Sequence, residues 1–285
     1  MNNTAKSDDW TTIIRPQYSW FELRLGELWQ ARDLVKLFVW RDFVAAYKQT
    51  ILGPVWYLIQ PILTTTIFTI IFGRIANLPT DGLPGFLFYM SGTIIWGYFA
   101  ACLTKTSATF TANANVFGKV YFPRLAVPIS IIISNLIAFA IQFALFLVMI
   151  LYFALASEKV RFTGWILLTP FLLILMAGIG LGFGIIISSL TTRYRDLQNL
   201  VGFGVQLLMY ATPIIYPYSS VPTGYRWLIL ANPLTPVVET FRFASLGAGT
   251  IIGWPLLYTF LCMCCILLVG LLMFNRVERT FMDTV

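Results

Sequence analysis

The sequence contains no histidine, and this absence excludes several classes of catalytic site. Without an imidazole, the chain cannot build a Ser-His-Asp or Cys-His arrangement, an HExxH metal site or a histidine proton relay. Cysteine is scarce too: Cys102, Cys262, Cys264 and Cys265 all lie in uncharged apolar stretches. Such surroundings are typical of small buried hydrophobic side chains and not of zinc sites or disulfide frameworks. We therefore expect no metal site in this chain.

Charged residues are also few. Only 11% of the 285 residues are charged and 58% are apolar, whereas a soluble domain carries about a quarter charged residues. The mean hydropathy is +0.79. The net charge of +7 could indicate a nucleic-acid partner, but no basic run with interleaved aromatics is present, and cytoplasmic loops of membrane proteins produce the same bias. The composition predicts a protein embedded in lipid that binds no nucleic acid.

Six stretches contain no Asp, Glu, Lys or Arg and are long enough to cross a bilayer. A spanning helix needs about 20 mostly apolar residues, because hydrocarbon offers no partner to an unpaired backbone group. The stretches are 49–73, 82–104, 125–157, 162–192, 197–225 and 243–275. They predict an all-α, polytopic membrane protein with an N-terminal segment (1–48), a six-span domain (49–275) and a tail (276–285).

Lys and Arg are distributed unequally between the loops. With six spans both termini lie on one side, and fourteen of the nineteen Lys and Arg residues fall on that side, against five on the other. Because basic residues collect in cytoplasmic loops, we expect both termini in the cytoplasm. Residues 1–33 lack an apolar run of signal-peptide length, so we expect the N-terminal segment to stay attached.

The segment 20–48 alternates apolar and charged residues at helical spacing. Leu37, Trp40, Val44 and Tyr47 recur at i, i+3, i+7 and i+10. This pattern predicts an amphipathic helix lying at the cytoplasmic interface of the membrane. A plain solvated helix is the alternative.

The loop 111–124, TANANVFGKVYFPR, begins with polar residues, carries apolar Val116 and Phe117, and ends in a proline before the third span. A short helix parallel to the membrane would present these two side chains to a groove of a partner protein. A simple connecting loop is the alternative.

The segment between the fifth and sixth spans is rich in proline. Five prolines fall between residues 213 and 242, and the uncharged stretch 227–238 is too short to cross the membrane. Broken backbone at membrane depth is tolerated where protein or a water-filled cavity covers it, so we expect short helices that re-enter the outer leaflet. Glu239 and Arg242 are spaced i, i+3 on the second of these helices and can neutralise each other.

The sequence offers no energy source of its own. It has no phosphate-binding loop of the GxxxxGK[ST] type, and its apolar stretches carry no charge that could couple transport to ions. Gly178, Gly180, Gly182 and Gly184 instead form two small-xxx-small pairs that favour close helix packing. We expect a conduit with no cofactor of its own, driven by a separate ATPase docked on the cytoplasmic loops.

Four segments resemble the permease subunit of ABC-2-type exporters for O-antigen, capsular polysaccharide and teichoic acid. They are RDLVKLFVWRDFVAAYKQTILGPVWYLIQP (32–61), NANVFGKVYFPR (113–124), RYRDL (193–197) and NPLTPVVETFR (232–242). With the six-span layout, the resemblance covers nearly the whole chain. It implies a bacterial inner-membrane protein that works as two permeases with two ATPases. The ATPases bind ATP and magnesium, and the pore lies at the permease dimer interface.

The resemblance also implies roles for individual segments. Residues 23–47 resemble an interface helix, and residues 218–242 resemble re-entrant helices that help to close the outer mouth. The candidates for that outer gate are Tyr216, Tyr218, Glu239 and Arg242. Residues 113–121 resemble a first coupling helix and residues 193–196 a second, shorter one. They supply the ATPase-contact candidates, which are Asn113, Asn115, Val116, Phe117, Lys119, Tyr121, Arg193, Arg195 and Asp196.

The expected cargo is a polysaccharide, with O-antigen first, on a polyprenyl pyrophosphate carrier that enters from the cytoplasmic leaflet. Arg32, Arg41 and Lys48 are candidates for attracting the pyrophosphate through bidentate or point-charge contacts. Arg32 and Arg41 each precede an Asp, so local pairing is the alternative. The aromatic residues that could contact the sugar chain, or could serve as interfacial and packing residues, are Trp56, Tyr57, Trp96, Tyr98 and Phe99.

Two other interpretations stay open at this point. An exporter of capsule, teichoic acid, a drug or a lipid would share the architecture and differ in cargo. An intramembrane lipid-modifying enzyme would rely on sparse acids that nothing in the sequence clusters, namely Asp81, Glu158, Asp196 and Glu239.

Overall fold

The computed structural model describes residues 25–48, 52–113, 117, 122–156, 164–194, 196–249 and 253–284. Within these ranges all regular structure is helical and no strand occurs, which confirms the expected all-α class. Two helices, α1 (Leu25–Gln30) and α2 (Arg32–Tyr47), precede the long apolar helices. α2 packs against the long helix Ala126–Ala156.

The first long helix changes its pitch along its length. A 3₁₀ turn (Gly53–Val55) leads into α3 (Trp56–Phe68), which continues as a π-helix (Thr69–Ile75). Together they form 23 helical residues. At 1.5 Å per residue this is about 35 Å, enough to cross a hydrocarbon core of about 30 Å.

The next three helices form the middle of the bundle. They are α4 (Gly85–Ser107), followed by the short α5 (Thr109–Ala112); α6 (Ala126–Ala156); and α7 (Thr169–Thr191), which is preceded by a 3₁₀ helix (Gly164–Leu168). Lys105, one residue beyond the charge-free stretch 82–104, lies in the last turn of α4. Its Nζ donates to Asn135 Oδ1 on α6 at 2.8 Å.

The segment after α7 is built from short helices. These are α8 (Leu197–Tyr210), two 3₁₀ turns (Tyr218–Ser220 and Thr223–Tyr225), α9 (Arg226–Ala231) and α10 (Thr235–Leu246). α10 has Pro236 in its first turn and ends at Gly247, whose φ of 72° is the left-handed conformation that commonly ends a helix. The last helix, α11 (Gly253–Thr284), is again long.

Among the described residues, five helical stretches are long and apolar enough to cross a membrane, which makes this a multi-pass membrane protein. They are Gly53–Ile75, Gly85–Ser107, Ala126–Ala156, Gly164–Thr191 and Gly253–Val277. They correspond to the expected first four spans and the sixth. In the expected fifth span, 197–225, α8 has 14 residues. It reaches about 21 Å, which is short of the hydrocarbon core of about 30 Å. The sixth span in the count therefore stays a prediction.

α4 and α7 occupy the centre of the bundle. α4 packs along α7 and α6, and α7 packs along α4 and α11. Most side chains of α4 and α7 are buried, whereas most side chains of α3, α6 and α11 are half-buried or exposed. Outward apolar side chains suit a bilayer, because lipid tails are as apolar as leucine.

The glycines of α7 lie on two helix faces, as the two small-xxx-small pairs predict. Gly178 and Gly182 face α11, and Gly180 and Gly184 face α4. Gly270 of α11 lies directly against the backbone of Gly182. The missing side chains let three helix backbones approach closely, so the packing interpretation of these glycines is confirmed.

The four cysteines are free thiols with different surroundings. Cys102 is buried and Cys262 is half-buried, but Cys264 and Cys265 are exposed on α11. The expectation that all four are buried is therefore wrong for the last two. An uncharged apolar stretch also occurs on the outward face of a membrane helix, so it does not by itself indicate burial inside the protein.

Gly182→Ala and Gly184→Ala should each destabilise the protein. The added Cβ would lie 2.7 Å from Ile266 Cγ2 in the first variant and 2.6 Å from Thr106 Cβ in the second. Overpacking of this kind costs about 1–3 kcal/mol, which thermal unfolding of the purified protein in detergent measures. Gly204→Ala on α8 is the control, because a Cβ there meets nothing within 4 Å. Equal unfolding temperatures for all three variants would contradict close packing at α7.

Candidate functional site

The candidate residues lie mainly at two ends of the bundle. The first, the α2 end, holds α2, the final turns of α7 and α11, and the beginning of α6. The second, the α10 end, holds α10, the beginning of α4 and the later part of α6. Because each long helix runs from one end to the other, these two regions are at opposite ends of the bundle.

A buried ion pair lies at the α10 end. Arg242 Nη1 donates to Glu239 Oε1 at 2.7 Å, and the two side chains are 0% and 2% exposed. The pairing that the i, i+3 spacing predicts is therefore present. The Arg242 guanidinium also lies over the ring of Phe88 on α4, with Cζ 3.9 Å from the ring centroid, a favourable cation–π geometry. Burial raises the pKa of the Glu239 carboxyl, and the charge of Arg242 opposes that shift.

The ion pair is also hydrogen-bonded to the chain that precedes α9. Arg242 Nη2 donates to the backbone carbonyls of Pro213 at 3.0 Å and Ile214 at 3.4 Å. The backbone amide of Tyr218 donates to Glu239 Oε1 at 3.2 Å. Two buried charges need such additional partners to offset the loss of hydration. The pair thus fastens α10 to the turns that follow α8.

The two tyrosines among the outer-gate candidates lie in those same turns. Tyr216 Oη donates to the carbonyl of Tyr210 at 3.2 Å, which closes the turn after α8. The ring of Tyr218 has the Arg226 guanidinium 5.7 Å from its centroid. The structure therefore brings all four outer-gate candidates into one region around α10.

At the α2 end, Arg41 is already paired. Its Nε and Nη2 donate to Asp42 Oδ1 at 3.0 and 2.9 Å, and its guanidinium lies over the ring of Phe38 at 4.9 Å. The local pairing that was the alternative for this residue is therefore present. A paired guanidinium has fewer donors left for a phosphate.

Arg32 and Lys48 differ from Arg41. Asp33, the acid beside Arg32, pairs with Lys36 at 2.9 Å, and this hydrogen bond lowers the pKa of Asp33. Neither Arg32 nor Lys48 forms an ion pair with any residue that the structure describes. Both are exposed. Of the three basic candidates, these are the two whose charge no described acid pairs.

α2 packs against the bundle through a different helix face from the one that carries the recurring apolar residues of the sequence pattern. Val35 and Phe38 are buried against the bundle, whereas Leu37 and Trp40 are 59% and 61% exposed. Trp29 of α1 is exposed as well. Two members of the predicted apolar face, Leu37 and Trp40, thus point away from the protein, whereas Val44 is half-buried.

Phe117 points into the bundle. It is 1% exposed, and its ring centroid lies 5.9 Å from that of Phe110 and 5.6 Å from that of Phe122. The expectation that Phe117 is presented to a partner groove is therefore wrong, because apolar side chains of five helices remove it from water. We call this group the α2 cluster, and its buried members are Val35, Phe38, Phe110, Phe117, Ala126, Val127, Ile185 and Phe274.

The other coupling candidates are more accessible or are not described. Asn113 Nδ2 donates to the carbonyl of Thr109 at 3.0 Å, at the end of α5. Arg193 and Asp196 are exposed in the turn between α7 and α8, with Arg193 5.7 Å from the ring centroid of Tyr194. The candidates outside the described residues are Asn115, Val116, Lys119, Tyr121 and Arg195.

The aromatic candidates fall into two groups. Trp96, Tyr98 and Phe99 on α4 are at most 6% exposed and belong to the core of the chain. Trp56 is 53% exposed and Tyr57 is half-buried at the start of α3. The contacts of the first group are packing contacts, so only the second group offers surface to a ligand in this chain.

Sequence reasoning missed three phenylalanines that matter at the two ends. Phe88 supplies the ring under Arg242, and the rings of Phe110 and Phe274 stack at 4.8 Å in the α2 cluster. The chain has 24 phenylalanines, and no local pattern distinguishes these three. Their contacts form between helices that are distant in sequence.

Similarity to known proteins identifies the architecture. Residues 33–246, from α2 to the end of α10, match the family described as ABC-2 type transporter. The chain belongs to this family. The match spans the described candidate residues at both ends except Arg32, and leaves α11 outside it.

Several named relatives of this ABC-2 protein match over most of their length. The chain is 27% identical over 251 residues to the O-antigen export system permease protein RfbA of Klebsiella pneumoniae, which covers 88% of this chain and 94% of the relative. A protein of the same name from Myxococcus xanthus is 26% identical over 219 residues, 76% and 81% of the two chains. The polysialic acid transport protein KpsM of Escherichia coli is 26% identical over 250 residues, 86% and 93%.

Removing one partner of the buried ion pair should destabilise this ABC-2 protein more than removing both. Arg242→Met leaves the Glu239 carboxylate buried without its counter-charge, which costs about 3–5 kcal/mol. The double variant Glu239→Leu with Arg242→Met should recover part of that loss, because apolar residues of similar volume often replace a buried pair at little cost. Thermal unfolding of the single and double variants measures the difference. A double variant less stable than Arg242→Met would contradict this account.

Proposed function

We propose that this chain is the transmembrane subunit of an ATP-driven exporter of lipid-linked polysaccharide. It would move the polymer from the cytoplasmic to the outer face of a bacterial inner membrane. The observation that carries the proposal is the similarity to named permeases over 94% and 93% of their length. O-antigen is the first cargo to test, because the relatives with the higher identity are named for O-antigen export.

The proposed membrane arrangement has six spans with both termini in the cytoplasm. In it, α8 and the turns after it form the fifth span, while α9 and α10 re-enter from the outer side. The burial of nearly all α10 side chains supports this arrangement, since interrupted backbone at membrane depth requires a cover of protein. The excess of Lys and Arg in the N-terminal segment and the intervening loops supports the orientation.

We further propose that two copies of the chain work with two ATPase subunits, which hold the ATP and magnesium. The turn with Arg193 and Asp196 is exposed at the α2 end, where a cytoplasmic partner would dock. The α2 cluster would then carry the partner's motion into the membrane, because Phe117 joins the 111–124 loop to α2, α6, α7 and α11 in one packed group.

The lipid-linked substrate would approach along α2. Leu37 and Trp40 would lie against lipid at the cytoplasmic leaflet, and Arg32 and Lys48 would attract the pyrophosphate of the carrier. Arg41 has a smaller part in this proposal, because Asp42 occupies its guanidinium.

Phe117→Ala should reduce export while leaving some ATP hydrolysis. Truncating a buried phenylalanine costs about 3–5 kcal/mol, and here it would loosen the loop from α2 and α11. The measurements are surface polysaccharide in cells and ATP hydrolysis by the purified complex at matched protein levels. Phe203→Ala, which alters an exposed phenylalanine on α8, is the control. Normal export by Phe117→Ala would show that the α2 cluster does not transmit the motion.

The double variant Arg32→Ala with Lys48→Ala should lower surface polysaccharide at least severalfold, because two exposed cations that no described acid pairs are lost near the carrier pyrophosphate. Lys36→Ala is the control, since this lysine is also exposed on α2 but pairs with Asp33. Surface polymer is quantified at equal permease abundance. If Lys36→Ala lowers it as much as the double variant, the effect is general charge loss and not recognition of the carrier.

Deletion of the gene for this chain should abolish surface polysaccharide and cause the lipid-linked polymer to accumulate in the cytoplasmic leaflet. The source strain is stained for surface polymer, and its lipid extract is analysed for the carrier-linked form. Plasmid-borne wild-type chain should restore export. An unchanged surface polymer in the deletion strain would refute the proposed cargo.

A further inference from the structure

A pocket opens beside the buried ion pair. Its volume is about 310 Å³, near the lower end of the range of small-molecule sites, about 300–1,000 Å³. Its walls are formed by three segments that connect helices: the segment between α3 and α4, the segment between α8 and α10, and the segment after α10. The lining residues are Asp81, Tyr218, Ser219, Arg226, Glu239 and Gly249.

A buried carboxylate oxygen is available to this pocket. Glu239 is 1% exposed, and both hydrogen bonds that it accepts within the described part of the chain, from Arg242 and from Tyr218, go to Oε1. Oε2 accepts none from those residues, although a carboxylate has about four acceptor positions. At Gly249, whose φ is +115°, a Cβ would lie 3.4 Å from Oε2. Glycine at this position therefore keeps the approach to Oε2 open.

The remaining walls provide both hydrogen-bond acceptors and donors. Ser219 Oγ donates to Asp81 Oδ1 at 2.6 Å, which holds two of the connections together. Arg226 donates through Nε to the carbonyl of Val221 at 3.0 Å and through Nη2 to that of Ser219 at 3.2 Å. A guanidinium has five N–H donors, so most N–H groups of Arg226 remain available to a ligand beside the carboxylates.

The charges around the pocket favour a neutral ligand over an ion. Two carboxylates, of Asp81 and Glu239, are matched by the guanidiniums of Arg226 and Arg242. A metal cation would be repelled by Arg226, and no group of three or more metal-ligating side chains occurs among the described residues. A phosphate would be repelled by the two carboxylates. A sugar hydroxyl both donates and accepts, so it can use both kinds of wall, while the ring of Tyr218 offers an apolar side.

We propose that this pocket binds a sugar unit of the exported polymer as it leaves the membrane. The inference rests on the proposed function, because the polymer is the source of the sugar. Hydroxyl groups of the sugar donate to Asp81 and to Glu239 Oε2 and accept from Arg226. The polymer therefore has a holding point against α10, at the end of the bundle opposite to α2.

The test measures binding of a defined probe to the full-length permease in lipid nanodiscs. The probe is the oligosaccharide mixture released by mild acid from the surface polysaccharide of the source strain, and saturation-transfer NMR reports its binding. Ser219→Ala frees Asp81 from its orienting hydrogen bond, and Gly249→Ala places a methyl group beside Glu239 Oε2. The matched controls are Ser220→Ala and Gly224→Ala, at a serine and a glycine that do not line the pocket.

Wild type and both control variants should bind the probe equally. Ser219→Ala should bind about two- to tenfold more weakly, as for the loss of one hydrogen bond, and Gly249→Ala more weakly still. The proposal is overturned if wild type does not bind the probe, if all four variants bind it as wild type does, or if Ca²⁺ or Mg²⁺ displaces the probe. The deletion strain distinguishes failure of this pocket proposal from failure of the proposed function. If the deletion abolishes surface polymer but the wild-type permease does not bind the probe, the pocket proposal is rejected and the proposed function stands.

Discussion

The α10 end of this protein depends on the burial of one arginine. Arg242 is fully removed from solvent, so its charge must be matched by groups of the protein. The Glu239 carboxylate, the ring of Phe88 and the carbonyls of Pro213 and Ile214 supply that match. These partners belong to α10, to α4 and to the turns after α8. A region with many prolines and short helices is thus held in place by one charge whose partners come from three parts of the chain.

The centre of the bundle is held together by a different kind of contact. Lipid removes most of the hydrophobic driving force between helices, so close van der Waals contact has to replace it. The glycines of α7 allow that contact with α4 on one face and with α11 on the other. A polar contact from Lys105 to Asn135 also joins α4 to α6 near the α2 end. These contacts make α4 and α7 the fixed centre around which the outward-facing helices are arranged.

Local features of this chain could be predicted from the sequence and long-range features could not. The five long helices follow from charge-free stretches, because a helix in lipid satisfies its backbone within its own segment. The Glu239–Arg242 pair follows from i, i+3 spacing. The end of α8 could not be predicted in this way, because the apolar stretch continues past Tyr210 through turns that contain no charged residue. The inward direction of Phe117 depends on α2, α7 and α11, which its neighbours in sequence do not reveal.

α4 connects the two ends of the bundle directly. Near its start Phe88 lies under the guanidinium of Arg242, and just beyond its end Phe110 stacks on Phe274 in the α2 cluster. The glycines of α7 leave the second half of α4 little room to bend, because Gly180 faces Cys102 and Gly184 faces Thr106 at close range. A helix held in this way would move as a rigid body. A displacement of the α2 cluster would therefore reach the contact between Phe88 and Arg242, without a chain of side-chain rearrangements between them. In a subunit that works as proposed, the partner's motion and the state of the α10 end are linked through this helix.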